Sequence, residues 1–371
     1  VIRLVIGLFI LLSTTATAVA DEAGSSRLAS LLGSNDDAGF SKALSPRSFV
    51  FPADHGPHPD YRNEWWYVTG NLDSDSGKRF GFELTFFRFA LTPAPPPRDS
   101  DWRTNQVYIA HLAVTDADGE RFFTSERYSR GAVGLAGAQA EPPRVWIDDW
   151  QLHADASASN WRLVARSDEI GLDLRLSPAK EPVLNGANGL SQKSSEAGNA
   201  SYYYSITRLD TDGRLSIAGE EYAVSGLSWL DREWSSSALS SGQVGWDWFA
   251  LQLEDGSDLM FYNIRRAGGE QDTHSAGTLV RPDGSARQID RSEIVIAVDD
   301  TWTSPAGGTY PSRWTLTLPN ERLQLQVTPV IENQELFTTV RYWEGAVDVL
   351  GERGGKSISG RGYVELTGYA D

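Results

Sequence analysis

The chain returns repeatedly to one pattern: a short run of β-branched and aromatic residues, then an acidic turn that closes on glycine. Trp66 to Leu72 and Arg79 to Phe89 flank Asp73-Ser74-Asp75-Ser76-Gly77, and Val107 to Thr115 and Glu120 to Tyr128 flank Asp116-Ala117-Asp118-Gly119. Tyr202 to Leu209 and Arg214 to Tyr222 flank Asp210-Thr211-Asp212-Gly213 in the same way. Aspartate bonds to the backbone just ahead of it and glycine accepts positive φ at no steric cost, so each signature predicts a hairpin. Further strands are expected at Val145 to His153, Trp161 to Ala165 and Ile170 to Leu176. Helical periodicity is scarce beyond Ser48, which argues against the βαβ crossovers of parallel sheets and predicts an all-β antiparallel sandwich or barrel.

A length of 371 residues exceeds what one hydrophobic core usually organises, and the second half repeats the first. Trp246-Asp247-Trp248-Phe249 through Gly256 to Arg266 echoes Trp65 through Gly77 to Arg88. Thr278 to Gly284 echoes Ala113 to Gly119, Trp314 to Val327 echoes Trp161 to Leu176, and Ile358 to Glu365 echoes Ile217 to Val224. Four echoes in one order predict two copies of one β-domain, at 47–235 and 236–371, joined by a Ser/Gly-rich linker near Ser235 to Gly242.

Residues 1–20 run from Arg3 through the apolar Gly7-Leu8-Phe9-Ile10-Leu11-Leu12 to the small Ala18-Val19-Ala20, the pattern of a secretory signal. Their apolar run is shorter than the roughly 20 residues of a membrane span. Residues 21–46 are small and polar and read as a flexible tether. Export to a bacterial periplasm or the medium is therefore expected, with no stable membrane insertion after cleavage. The lack of cysteine excludes disulfides and thiolate metal sites. A formal charge of -17 argues against nucleic acid as a partner and against docking on anionic lipid.

Phe51-Pro52-Ala53-Asp54-His55-Gly56-Pro57-His58-Pro59 leads into Glu64-Trp65-Trp66-Tyr67, and Gly226-Leu227-Ser228-Trp229-Leu230-Asp231-Arg232-Glu233-Trp234 follows later. On these two motifs the chain, from about Phe51 to Tyr369, resembles the AttH family, which is related to the carotenoid 1,2-hydratases (CrtC) and often labelled predicted secreted hydrolases. The resemblance implies two tandem lipocalin-like β-barrels. It also implies a mainly apolar ligand, isoprenoid or lipid-like, held between the domains or within the first barrel, and no cofactor. The related hydratases protonate an isolated trisubstituted alkene and trap the tertiary cation with water. Such a reaction needs a carboxylic acid kept neutral by desolvation, aromatic faces to stabilise the cation, and a positioned water. Asp231 is the expected proton donor, with Glu233 or Glu64 orienting water. Trp65, Trp66, Tyr67, Trp229, Trp234, Trp248 and Tyr262 are the expected ligand contacts, although burial in a barrel core is the simpler reading for any single tryptophan. Where the hydratases carry a His this chain has Arg232, and a guanidinium beside Asp231 would hold it ionised in a salt bridge.

Other chemistries find less support. Asp54, His55, His58 and Asp60 are metal-ligand types at short spacing, but two prolines stiffen that loop and no second His cluster completes a site. The segment reads as a rigid lead-in with exposed histidines and no metal. His111, in an apolar strand, reads as a hydrogen-bonded interior histidine. A hydrolase would lack a Gly-x-Ser-x-Gly elbow, a cysteine nucleophile and a His-Glu-x-x-His run, and Arg353-Gly354-Gly355-Lys356-Ser357 lacks the upstream glycine of a phosphate loop. Three readings stay open beside the hydratase: a periplasmic lipid carrier or chaperone, a secreted hydrolase of unknown substrate, and paired barrels for protein recognition with both interiors filled. Oligomeric state leaves no sequence signal.

Overall fold

The computed structural model describes residues 37–97, 99–237 and 239–370; the expected signal and most of the expected tether lie outside them. The first copy contributes β1 (Asn63–Ser74), β2 (Arg79–Ala90), β3 (Gln106–Asp116), β4 (Arg121–Arg130), β5 (Ala136–Ala140), β6 (Pro143–Ile147), β7 (Trp150–Ala154), β8 (Trp161–Arg166), β9 (Ile170–Pro178), β10 (Val183–Leu184), β11 (Leu190–Gln192), β12 (Ala200–Ile217) and β13 (Glu220–Ser235). The second contributes β14 (Gln243–Leu253), β15 (Asp258–Arg266), β16 (Ala276–Val280), β17 (Ala286–Asp290), β18 (Val295–Thr303), β19 (Thr309–Leu318), β20 (Leu323–Pro329), β21 (Glu335–Phe337), β22 (Arg341–Arg353) and β23 (Lys356–Leu366). Among the described residues no helix is long and apolar enough to cross a membrane.

The sheet orders are β4-β3-β2-β1-β13-β12-β9-β8-β7-β6-β5 and β17-β16-β15-β14-β23-β22-β20-β19-β18. Both trace one antiparallel path in which the first strand of the copy pairs with its last, β1 with β13 and β14 with β23. The duplication is therefore visible in three dimensions, as two tandem lipocalin-like barrels. The first is nearly closed, because β3 and β4 return against β5 and β6. The second stays open between β17 and β18.

Side chains alternate between the two faces of a strand, and that period of two decides what each sheet buries. Trp66, Leu72, Phe82, Trp161, Leu172 and Trp234 fill the interior of the first barrel, and Phe249, Trp314, Leu316 and Trp343 that of the second. The opposite faces pack on each other: Tyr67, Tyr203 and Trp229 of the first copy meet Trp248, Met260, Tyr262 and Tyr363 of the second. Gly81 is required at this seam, since a Cβ there would lie 2.4 Å from the Cβ of Ala346. Polar ties fix the seam as well, with Asn71 Nδ2 donating to Gly362 O at 2.9 Å and Lys180 paired with Asp258 at 2.7 Å.

Four sequence expectations are corrected. Asp210-Thr211-Asp212-Gly213 is not a turn: β12 runs through it to Ile217, and the chain reverses at Ala218-Gly219. Gly213 stands there because a Cβ would lie 2.2 Å from Asp173 O, and Asp212 pairs with Arg175 on the neighbouring strand, so close approach and a cross-strand ion pair imitate turn chemistry. The fourth echo is out of register. Ile217 to Val224 spans the β12–β13 reversal, whereas Ile358 to Glu365 lies inside β23, whose own reversal is Gly354-Gly355. Val145 to His153 is likewise two strands joined at Asp148-Asp149. The end of the expected tether is already packed, with Ala43 buried in the first core and Ser41 N donating to Asp60 O at 2.9 Å.

Candidate active site

A cavity of about 130 Å³ lies in the seam, against the outer faces of both sheets and outside either barrel interior. From the first copy it is lined by Trp65 and Tyr67 on β1, Ser201 and Tyr203 on β12, and Asp231 and Glu233 on β13, with Lys193 reaching in from the end of β11. From the second come Trp246 and Trp248 on β14, Tyr262 and Ile264 on β15, and Glu365 on β23.

Asp231 is 3% exposed and, among the described residues, forms no ion pair. Its Oδ1 accepts from Ser205 Oγ at 2.5 Å and from Trp229 Nε1 at 2.7 Å, and its Oδ2 accepts from the Tyr203 hydroxyl. Tyr203 Oη in turn accepts from Trp248 Nε1 at 3.1 Å, a bond that crosses the seam. Burial pushes the Asp231 carboxyl up to about 7, against the three donors that favour its anion; the neighbouring Glu233 charge pushes the same way as burial. Burial and the adjacent Asp231 charge also hold the Tyr203 phenol well above its usual range, so it remains a neutral hydroxyl.

Two residues along β13, on the same face, Glu233 accepts from Ser201 Oγ and pairs with Lys193 Nζ at 3.1 Å. The Lys193 ammonium lies 3.9 Å from the Tyr262 ring centroid. Burial opposes its charge, but Glu233 and the tyrosine face outweigh that and raise it. Glu365 stands at the other side of the cavity with Trp246 Nε1 donating at 2.6 Å, and burial raises it to about 7 too.

The guanidinium expected to hold Asp231 ionised points away. Adjacent strand residues face opposite ways, so Arg232 enters the first barrel, where it bonds Glu64 Oε2 at 3.1 Å and Trp65 O at 2.7 Å and covers the Trp66 ring at 3.8 Å. Glu64, Trp66 and Trp234 share that interior and do not line the cavity. Glu64 pairs with both Arg88 and Arg232; burial alone would raise its carboxyl, yet Arg88, His58 and Arg232 together hold it well below the usual range. The histidines of the lead-in are not exposed: His55 is buried against Tyr204 at 2.6 Å, and His58 stacks on Trp234 at 3.6 Å between Asp54 and Glu64. His111 is interior, bonded to Tyr342 Oη at 2.6 Å and Glu126 at 3.0 Å. Of the remaining expected residues, Trp65, Tyr67, Trp248, Tyr262, Asp231 and Glu233 converge on the cavity, while Trp229 stands behind Asp231 as its donor.

Tyr203, Lys193, Trp246 and Glu365 also line the cavity and carried no site expectation. The signal for Glu365 lay in the duplication. Trp65-Trp66-Tyr67 matches Trp246-Asp247-Trp248, and the registers Tyr67 with Asp231 and Trp248 with Glu365 make the two acids counterparts.

Comparison with known proteins gives one family and a set of solved structures. The family model described as AttH-like matches residues 42–369. A crystal structure of an AttH homologue from Nitrosomonas europaea is 34% identical and superposes with a TM-score of 0.79, covering 89% of this chain and 100% of that one. Kievitone hydratase from Nectria haematococca shares the fold at 15% identity and a TM-score of 0.66, over 90% of this chain and 98% of that one. CghA, solved with Sch210972, shares it at 12% identity and a TM-score of 0.54, over 90% and 97%. Among curated proteins nothing matches.

Proposed function

The chain belongs to the AttH-like family, and on that premise we propose that its seam cavity catalyses acid hydration, or isomerisation, of an alkene in an apolar, isoprenoid or lipid-like ligand, with Asp231 as proton donor. One observation carries the reading: Asp231 is a buried carboxyl that forms no ion pair among the described residues, held up to about 7, on the wall of an aromatic cavity. A carrier needs no such group, and keeping a carboxyl in a dry site costs stability that binding alone does not require. The fold shared with kievitone hydratase, a hydratase by name, agrees with this chemistry.

In the acid form that bond reverses: the Asp231 Oδ2–H donates to Tyr203 Oη, which already accepts from Trp248 Nε1. Both lone pairs of that phenol are then used, and its own O–H is free to turn to the alkene. Proton transfer from Tyr203 to one alkene carbon, with Asp231 replenishing it, leaves a cation on the other carbon. The faces of Trp65, Trp246 and Trp248 stabilise that cation, and the Glu233–Lys193–Ser201 group orients water beside it. Export belongs to the same reading and rests on the pattern of residues 1–20.

Purified protein incubated with geranylgeraniol, an acyclic isoprenoid bearing a terminal trisubstituted alkene, tests it. The expected product has gained one water, and Asp231→Asn abolishes its formation. Hydration that persists in Asp231→Asn would remove Asp231 from the chemistry.

A further inference from the structure

Hydration consumes a proton at carbon and releases one from water, so a second group must accept what the water gives up. We infer that Glu365 is that base: it takes a proton from the attacking water while Asp231, through Tyr203, delivers one to the alkene. The inference rests on the hydration reading of the same cavity and assigns to the second copy a catalytic part in it.

The internal symmetry of the chain places the two acids. Asp231 on β13 and Glu365 on β23 occupy matching positions, opposite Tyr67 and Trp248, and each faces the cavity from its own sheet. Asp231 is nearly sealed, whereas Glu365 is partly exposed and so open to water. Trp246 Nε1 donates to Glu365 Oε1 at 2.6 Å, the kind of fixed donor that stabilises an acceptor carboxylate.

The groups behind Glu365 supply the rest. Glu344 is its direct partner in the β22–β23 register, and Tyr67 Oη donates to Glu344 Oε2 at 2.8 Å. Among the described residues, Glu344 Oε1 and both carboxyl oxygens of Glu83 are buried without a hydrogen-bond partner. Burial, reinforced by Glu365, holds Glu83 and Glu344 far above their usual range, so both stay protonated. A neutral Glu344, the register partner of Glu365, has an O–H to offer it, an interaction that would lower Glu365 relative to what burial alone gives. Glu233, Asp231 and the Lys193 ammonium face Glu365 across the cavity, and the two carboxylates raise it. Asp231 and Glu365 are each raised by burial, and the Asp231 charge raises Glu365 further. The pair divides the work: the sealed member with the phenol relay is the acid, and the wetter member with fixed donors is the base.

Each cycle balances. Asp231 loses a proton, through Tyr203, to form the C–H bond; the water oxygen forms the C–O bond and loses a proton to the Glu365 carboxylate. The proton then returns from Glu365 to Asp231 through cavity water, and one water has been added across the double bond.

The test incubates geranylgeraniol with wild type, Asp231→Asn and Glu365→Gln in water enriched in deuterium and oxygen-18. Wild type is expected to place both isotopes in the product, and Asp231→Asn neither. Glu365→Gln is expected to keep exchanging deuterium into the alkene while its oxygen-18 incorporation falls about 100-fold or more. Oxygen-18 incorporation by Glu365→Gln within about threefold of wild type would overturn the base assignment and leave hydration standing. Incorporation of neither isotope by wild type would overturn hydration, and the base with it. Infrared titration of the carboxylic-acid band needs no substrate: the Asp231 midpoint is expected to be lower in Glu365→Gln than in wild type, and an unmoved midpoint would show that the two acids do not sense each other.

Discussion

Asp231→Asn should stabilise the protein at alkaline pH while abolishing its chemistry. The folded chain keeps the Asp231 proton up to about pH 7, whereas an unfolded aspartate releases it near the ordinary value of 3.8. Across that window the folded state binds more protons than the unfolded one, so stability falls as pH rises and levels off above about 7. Retaining the proton over that interval corresponds to about 4 kcal/mol, an upper bound because Glu365, raised by the same burial, shares the cavity. Asparagine does not titrate. Its Oδ1 can accept from Ser205 and Trp229 as the carboxyl does, and its amide can donate to Tyr203, which mimics the protonated acid. Near pH 4 variant and wild type should differ by less than about 1 kcal/mol, and near pH 8.5 the variant should be more stable by about 2–4 kcal/mol. Urea unfolding followed by tryptophan fluorescence across this range measures the difference. A gap between variant and wild type that does not change with pH would refute a neutral buried Asp231.

Other substitutions separate the site from the scaffold. Glu64→Gln should cost about 3–5 kcal/mol in thermal unfolding, because Arg88 and Arg232 would be left buried without their shared counter-ion; a loss under about 1 kcal/mol would contradict this. Gly81→Val should wedge the sheets apart at Ala346, costing about 1–3 kcal/mol and weakening quenching of cavity tryptophans by added geranylgeraniol, although Gly81 does not line the cavity. Trp248→Phe keeps a ring on the wall but removes the donor that fixes Tyr203, so hydration should slow about tenfold while ligand affinity changes less than about threefold. The hydration rate itself should peak near pH 7, falling above it as Asp231 loses its proton and below it as Glu365 gains one, and a rate that goes on climbing well above 7 would exclude Asp231 as the acid.

Turn chemistry made the β1–β2 and β3–β4 hairpins legible, and repetition made the two copies legible before either sheet was known. The same chemistry misled at Asp210 to Gly213, where the residues answer to a neighbouring strand that local sequence does not identify. The site was half legible for a related reason. Motif adjacency grouped Glu64, Trp65, Trp66 and Tyr67, and likewise Asp231, Arg232, Glu233 and Trp234, yet the period of two sends alternate members to a packed barrel interior and to the seam. Applying that period would have separated Arg232 from Asp231. Lys193, Tyr203 and Glu365 have no such local signal, because they meet only when the two sheets pack outer face to outer face.

The most direct measurement is the identity of what the protein holds. Wild type and Asp231→Asn would each be purified from the native host, examined by native mass spectrometry, and extracted into organic solvent. An isoprenoid or lipid alkene trapped by the variant, and its hydrated or isomerised form on wild type, is the expected result. The same unaltered lipid on both proteins would make the cavity a carrier site and contradict a catalytic Asp231.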